Sequence, residues 1–208
     1  MGRPAKFDLD SVLDAALRVL DREGMRALTA TRVCAELGAP SGSLYHRFAS
    51  RDALLIELWL RCAERFQAGY YAALESSADP RSAAHAAVRY FVERARAHGA
   101  EARVLMAYRR EDLIAGKWPA AIRRRAQALE DAQRAAQLRF AKRLWPRGTP
   151  DLGRMSYALL GLPYAATIAE LRGAARSYGD SIAWVEAALD AVLADCFMPA
   201  PKSKRGRD

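Results

Sequence analysis

A chain of 208 residues, about half of them apolar, is long enough to bury a sizeable core, and its richness in alanine, leucine and arginine over β-branched residues excludes a fold built mainly on sheets. The formal net charge of +9 does not by itself mark a nucleic-acid-binding surface near the N-terminus, because the excess lies in residues 116–148, with nine basic and two acidic residues. No apolar run approaches the roughly 18 residues of a membrane span, and the N-terminus lacks the apolar segment of a secretory signal. We therefore expect a soluble, cytoplasmic, all-α protein of about nine helices.

The N-terminal segment predicts two amphipathic helices separated by a short link. The first runs roughly from Asp10 to Glu23, and Gly24 follows it as a left-handed C-terminal cap. Thr29 is a suitable N-cap for the second helix, which ends before Gly38.

A third, shorter helix follows Pro40, which fits the first turn because its missing N–H would have no partner there. Leu44 and Phe48, four residues apart, supply its inward face. Two short helices joined by a turn with glycine, the second of them polar on its outer side, have the dimensions of a helix-turn-helix, whose second helix enters the DNA major groove. The side chains left on that outer side are Ser41, Ser43, Tyr45 in part, His46 and Arg47.

A longer fourth helix begins after Ser50, with Asp52 in its first turn, and extends to about Ser76. Glycines and prolines divide the remainder into further helices. The last two, residues 151–176 and 180–197, are the most apolar. Their predicted inward stripes are Leu152, Met155, Leu159, Leu162 and Leu171 in one helix, and Ile182, Val185, Leu189, Val192 and Cys196 in the other. Pro163 lies inside the first of these helices and should kink or interrupt it.

Residues 28–55, LTATRVCAELGAPSGSLYHRFASRDALL, closely resemble the N-terminal signature of the TetR family of bacterial transcriptional regulators. The leucine-threonine opening, the glycine of the turn, the glycine-hydroxyl-leucine-tyrosine run and the start of the next helix all occur in register. The family often has serine where Pro40 stands, a departure that removes an N-cap. The resemblance implies a helix-turn-helix DNA-binding domain over residues 1–51 and an effector-binding and dimerisation domain over residues 52–198, followed by a polar, basic tail over residues 199–208 that we expect to be disordered.

The resemblance also implies which residues contact double-stranded DNA at a near-palindromic operator. Phosphate contacts fix the register of such a complex, and base-edge contacts select its sequence. The implied phosphate contacts come from Thr29, Ser43, Tyr45 and Arg51. The implied base-edge contacts come from Ser41, Gly42 and His46, with Thr31 and Arg47 as open alternatives.

By the same resemblance, the last two helices pair with their mates in a homodimer, and a small-molecule effector releases a repressor from DNA. Dimerisation has a physical motive, because one half-site offers too few contacts for useful specificity. The sequence does not identify the effector. The aromatic candidates for lining a ligand pocket are individually more typical of a core, although several together would line an apolar cavity well, and Arg103 could orient an anionic or polar ligand. The candidates are Trp59, Phe66, Tyr70, Arg103, Tyr108, Trp118 and Tyr164.

Other functions find less support in the sequence. Neither CxxC spacing nor a second ligand at helical spacing from His85 or His98 is present, so we expect no metal site and no cofactor. No nucleophile elbow, phosphate loop or HExxH motif is present, so we do not expect an enzyme. The run Arg123, Arg124 and Arg125 is typical of a solvated face. A helical interaction adaptor without DNA binding stays open as the alternative function.

Overall fold

The structure is a computed structural model that describes residues 7–40, 44, 47–107, 116–172 and 180–197. This part of the chain is helical and contains no strand, which confirms the all-α prediction. Its nine helices are α1 (Leu9–Glu23), α2 (Ala30–Leu37), α3 (Arg51–Glu75), α4 (Pro80–Ala97), α5 (Gly99–Ala107), α6 (Ala120–Leu144), α7, α8 (Ser181–Val192) and α9 (Ala194–Phe197). Helix α7 consists of three consecutive segments, namely Leu152–Ser156, the π-helical Tyr157–Gly161 and Leu162–Leu171.

None of the described helices combines the length and the apolarity that crossing a membrane requires.

The chain forms two compact units. The first comprises the described residues of Met1–Gly69 and Glu93–Gln133. Its core contains Val12, Ala16, Val19 and Leu20 of α1, together with much of α3 and the apolar side of α6. The long helix α3 is the predicted fourth helix, and its start after Ser50 is confirmed, since the Ser50 hydroxyl accepts the Ala53 N–H at 3.1 Å.

The second unit comprises the described residues of Tyr70–Val92 and Arg134–Asp208. Its buried side chains come from the end of α3, from α4, from the end of α6, and from α7 and α8. The predicted boundary between residues 51 and 52 separates a DNA-binding domain from an effector-binding and dimerisation domain. This functional division stays a prediction.

The predicted inward stripe of α7 is wrong at its first member. Met155 and Leu159 are buried, but Leu152 is 43% exposed. Leu152 is the first residue of α7, directly after its N-cap Asp151, and at the end of a helix the 3.6-residue period does not ensure that a neighbouring element covers the side chain. The predicted interruption at Pro163 is confirmed, because the π-helical segment ends two residues before it.

Candidate functional site

The turn after α2 has the geometry that its sequence predicts. The Thr29 hydroxyl accepts the Arg32 N–H at 3.1 Å, which caps the start of the helix. At the other end, Gly38 adopts a left-handed conformation with φ of 63°. The Ala39 N–H then bonds to the Cys34 carbonyl at 2.9 Å, the long bond of a Schellman motif. This ending redirects the chain sharply into the segment that follows α2.

Two apolar residues that follow Pro40 in sequence are buried. Leu44 is 3% exposed and Phe48 is 2% exposed, and the Phe48 N–H donates to the Leu44 carbonyl at 2.8 Å. Both predicted inward residues are therefore buried, one helical turn apart. The predicted DNA contacts of Ser41, Gly42, Ser43, Tyr45 and His46 lie outside the described residues and stay predictions.

Arg47 and Arg51 both use their guanidinium groups within the protein. Arg47 Nη1 donates to the Phe7 carbonyl at 3.2 Å, just before α1. Arg51 donates from Nε to the Leu28 carbonyl at 2.8 Å and from Nη2 to the Met25 carbonyl at 2.9 Å. Both side chains thereby tie the predicted DNA-binding segment to the elements around it. Each guanidinium carries further N–H groups, so the predicted DNA contacts remain compatible with this geometry.

The two threonines of the predicted interface are exposed at the start of α2. Thr29 uses an acceptor site of its hydroxyl for the cap, which leaves the hydroxyl proton available to donate to a phosphate oxygen. Thr31 lies two residues further along the chain, in the first turn of α2. Their roles toward DNA stay predictions.

An ion network that the sequence reading missed joins α1 to α2. Glu36 accepts from Arg18 Nε at 3.0 Å and from both terminal nitrogens of Arg22, while Glu23 accepts from Arg32 Nε at 2.9 Å. The Arg22 and Arg18 hydrogen bonds lower the pKa of Glu36 to about 2. These arginines therefore hold the helix pair together. The only sequence signal was the four-residue spacing within each helix, which gives no partner.

Arg61 joins α3 to α1. The Arg61 side chain is 6% exposed, and its Nη1 lies 2.8 Å from Asp14 Oδ1 and 3.1 Å from the Asp10 carbonyl. Its Nε and Nη2 are buried and have no partner among the described residues. Breaking this pair would leave a charge in a poorly solvated position.

Two of the nine basic residues in 116–148 pair with carboxylates of the fold. Arg125 pairs with Glu57 at 2.5 Å and with Glu64 at 2.9 Å, so it is not part of a purely solvated face. Arg139 pairs with Glu75 at 2.8 Å. This part of the net charge is therefore balanced within the fold.

The candidate ligand-lining residues fall into both units. In the first unit, Trp59 is 7% exposed and belongs to the same apolar cluster against which Trp118 packs. Phe66 is half-buried, and Arg103 pairs with Asp21 at 2.6 Å in an exposed ion pair. Tyr108 lies outside the described residues. The roles of these five residues toward a ligand stay predictions.

In the second unit, Tyr70 is buried and its hydroxyl donates to the Leu159 carbonyl at 2.9 Å. Tyr164 is 42% exposed. The predicted ligand contacts of these two tyrosines likewise stay predictions, although the exposure of Tyr164 is more typical of an interaction surface than of a buried cavity.

The second unit carries an apolar groove between α7 and α8. Its volume is about 310 Å³. Trp184, which is 55% exposed, forms part of its wall, and the Ser181 hydroxyl donates to Glu170 within it. The exposed rings of Tyr157 and Tyr164 belong to the same pair of helices. The remaining groove residues are Leu162, Ala165, Ala166, Ala169, Val185 and Ala188.

Comparison with known proteins supports this geometry at the level of sequence. Residues 12–58 match the family described as bacterial regulatory proteins, tetR family. Over 54 residues, or 26% of the chain, the sequence is 39% identical to an uncharacterized HTH-type transcriptional regulator from Mycobacterium tuberculosis. The match spans only 25% of the length of that curated relative.

Solved structures extend the likeness of the fold to most of the chain. A protein of unknown function from a Rhodococcus species has a TM-score of 0.71 at 18% identity, with 93% of this chain and 98% of that chain covered. FadR from Bacillus subtilis, solved in complex with stearoyl-CoA, has a TM-score of 0.66 at 11% identity, with 92% and 100% covered. A TetR variant from Acinetobacter baumannii, solved in complex with minocycline, has a TM-score of 0.60 at 22% identity, with 91% and 96% covered. Residues 12–58 therefore resemble the tetR family of bacterial regulatory proteins in sequence, and most of the chain shares the fold of these solved structures.

Proposed function

We propose that the protein is a homodimeric DNA-binding transcriptional regulator of the cytoplasm, a repressor that binds a near-palindromic operator and is released by a small-molecule effector. The observation that carries the proposal is the combination of a capped α2, a left-handed Gly38 and two buried residues, Leu44 and Phe48, at the positions that the helix-turn-helix prediction gives them.

The groove between α7 and α8 supports dimerisation through a second copy of the same chain. Exposed aromatic rings on a protein surface mark interaction sites, and Trp184 and Tyr157 are both more than half exposed. A two-fold axis would place the same face of both copies in contact. The two DNA-binding segments would then reach half-sites one helical turn, roughly 34 Å, apart.

Two buried polar atoms in the first unit support an effector site near α3. The indole Nε1 of Trp59 and the amide Oε1 of Gln67 are buried without a partner among the described residues. Buried polar groups normally have partners, so a ligand that accepts from Trp59 and donates to Gln67 would complete them. The structural neighbours in complex with stearoyl-CoA and minocycline show that this fold holds ligands in other proteins.

Selection of duplexes from a random pool by the full-length protein tests DNA binding. We expect a two-fold symmetric consensus with half-sites about 10 base pairs apart. His46→Ala should change the preferred bases, while Arg124→Ala, an exposed change on α6, should leave them unchanged. Enrichment of no duplex even at low salt would contradict DNA binding and favour the adaptor function.

Sedimentation tests the dimer. Trp184→Asp should convert the dimer to a monomer, because it places a charge on the shared apolar face. Leu138→Asp is a matched control, since Leu138 is 45% exposed on α6 of the same unit and lies outside the groove lining. Equal dissociation by both variants would contradict the assignment of the interface.

Operator affinity measured with and without a ligand tests the effector. Stearoyl-CoA and minocycline are suitable first probes, followed by a metabolite library. A ligand that prefers one form of the dimer by about 1 to 3 kcal/mol changes operator affinity about 5- to 150-fold. Trp59→Phe keeps an aromatic ring but removes the indole N–H. It should therefore weaken the binding of a ligand that accepts a hydrogen bond from Trp59 Nε1. If no compound changes operator affinity, the coupling is absent.

A further inference from the structure

The Leu159 carbonyl of α7 lacks the backbone donor that a regular α-helix would give it. In a regular α-helix, the carbonyl of residue 159 accepts the N–H of residue 163. Residue 163 is a buried proline, which has no N–H to donate. The Leu159 side chain is 3% exposed, so the carbonyl lies in a part of the helix that faces the core.

The hydroxyl of Tyr70 supplies the missing donor. It donates to the Leu159 carbonyl at 2.9 Å, and the Tyr70 side chain is 4% exposed. The ring is held edge-on against Phe91, with 6.4 Å between ring centroids and an interplanar angle of 86°. Burial raises the pKa of Tyr70 well above its usual range, so the hydroxyl keeps its proton and remains a donor.

The buried side of α7 shows why this point of the helix matters. Met155, Leu159, Pro163 and Thr167 are all buried, at intervals of four residues. Because an α-helix has 3.6 residues per turn, each interval of four overshoots one turn by about 40°, and three intervals overshoot by about 120°. The π-helical segment accommodates one extra residue, which corresponds to about 100° of rotation. This compensates for most of the 120°, so the four buried residues stay on one side of α7.

The same insertion aligns the outward side. Tyr157, Ala165 and Ala169 follow one another at multiples of four residues. Tyr157 is 59% exposed, and the two alanines line the groove against α8. In an uninterrupted α-helix, Tyr157 and Ala169 would point about 120° apart. With the extra residue they share a face.

We propose that Tyr70 is a positioning residue that holds the π-helical register of α7 and thereby aligns the face through which two copies of the chain pair. The inference rests on the proposed homodimer for its functional consequence. Pro163 removes the backbone donor, Tyr70 replaces it from a different helix, and the resulting register brings Tyr157 onto the same face as the groove.

The test combines Tyr70→Phe, Pro163→Ala and the double variant in the full-length protein. Tyr70→Phe keeps the ring and leaves the Leu159 carbonyl without its donor, so the dimer dissociation constant should rise about tenfold. Pro163→Ala restores a backbone N–H at residue 163. Removing the Tyr70 hydroxyl should therefore raise the dimer dissociation constant less when residue 163 is alanine than when it is proline. Tyr71→Phe, which removes the same atom from the adjacent residue, is the matched control and should leave the dissociation constant unchanged.

Amide hydrogen exchange over residues 157–166 reads the register independently of association. Tyr70→Phe should accelerate exchange there, and Pro163→Ala should cancel most of that effect. Unchanged exchange and unchanged association in Tyr70→Phe, or fully additive effects of the two changes, would overturn the proposal. A wild-type protein that sediments as a monomer at every concentration would instead refute the proposed dimer, while the exchange measurement would still show whether Tyr70 holds the register.

Discussion

Arg51 offers a test that separates a structural role from a role in DNA binding. Its guanidinium donates to the Met25 and Leu28 carbonyls, which belong to the link between α1 and α2. Hydrogen bonds from a charged donor contribute about 1.5 to 3 kcal/mol each, and we reduce this to roughly 1 kcal/mol each because Arg51 is exposed to water. The two bonds together then stabilise the fold by about 2 kcal/mol.

An opposing effect is smaller. Arg51 is the first residue of α3, where a positive charge faces the positive end of the helix dipole at a cost of about 0.5 kcal/mol. Arg51→Ala removes both effects, so we expect the free energy of unfolding to fall by about 1.5 kcal/mol. Urea denaturation followed by circular dichroism measures the change. Arg124→Ala, also exposed, is the control and should change the free energy of unfolding little.

Arg51→Lys divides the two roles further. Lysine keeps the positive charge but lacks the planar fork that reaches two carbonyls at once. We therefore expect Arg51→Lys to lose nearly as much stability as Arg51→Ala, while the salt dependence of operator binding stays close to that of the wild type. In Arg51→Ala, loss of one phosphate contact from each subunit of the dimer should reduce the slope of log K against log salt by about 1.8. Wild-type stability in Arg51→Ala would refute the structural reasoning, and an unchanged salt slope would refute the phosphate contact.

Three further predictions concern contacts within the first unit, which carries the predicted DNA-binding segment. Arginine hydrogen bonds lower the pKa of Glu36 from 4.5 to about 2, so the stabilising contribution of Glu36 is present above pH 4.5 and is lost as the pH falls toward 2. The wild type should therefore have a higher urea midpoint than Glu36→Gln above pH 4.5. The difference between the two midpoints should disappear as the pH is lowered from 4.5 to 2. Gly38→Ala should lower the free energy of unfolding by about 1 kcal/mol, since φ is 63° there, and Gly153→Ala is a control without a positive φ. Asp14→Asn should destabilise the protein more than Arg61→Met in the same assay, because only the former leaves a buried charge without its closest partner; the reverse order would contradict this account of the pair.

The N-terminal fold could be predicted from sequence because its determinants are local. A cap such as Thr29 acts on a backbone N–H three residues away, and Gly38 is required by its own φ. The inward residues Leu44 and Phe48 follow from helical periodicity alone. None of these predictions needs knowledge of which helices are neighbours.

The charged contacts could not be predicted in the same way. Arg61 and Asp14 are far apart in sequence, as are Arg125 and Glu57, so no spacing rule connects them. Arg123, Arg124 and Arg125 look alike in sequence, yet Arg125 forms two ion pairs and Arg124 is exposed. The partner of a charged side chain depends on packing between helices, which a periodic pattern does not specify.

Helix α7 is intermediate between the local caps and the charged contacts. Two features together indicate its π-helical segment, and neither is sufficient alone. Pro163 alone predicts an interruption without saying how the helix accommodates it. Buried residues at intervals of four, such as Met155, Leu159 and Thr167, conflict with the 3.6-residue period unless one residue is inserted. A π-helical segment resolves both conditions within one continuous helix, provided that another element supplies the donor that proline lacks. The Tyr70 hydroxyl meets that condition, and because it comes from α3, no pattern within α7 could have revealed it.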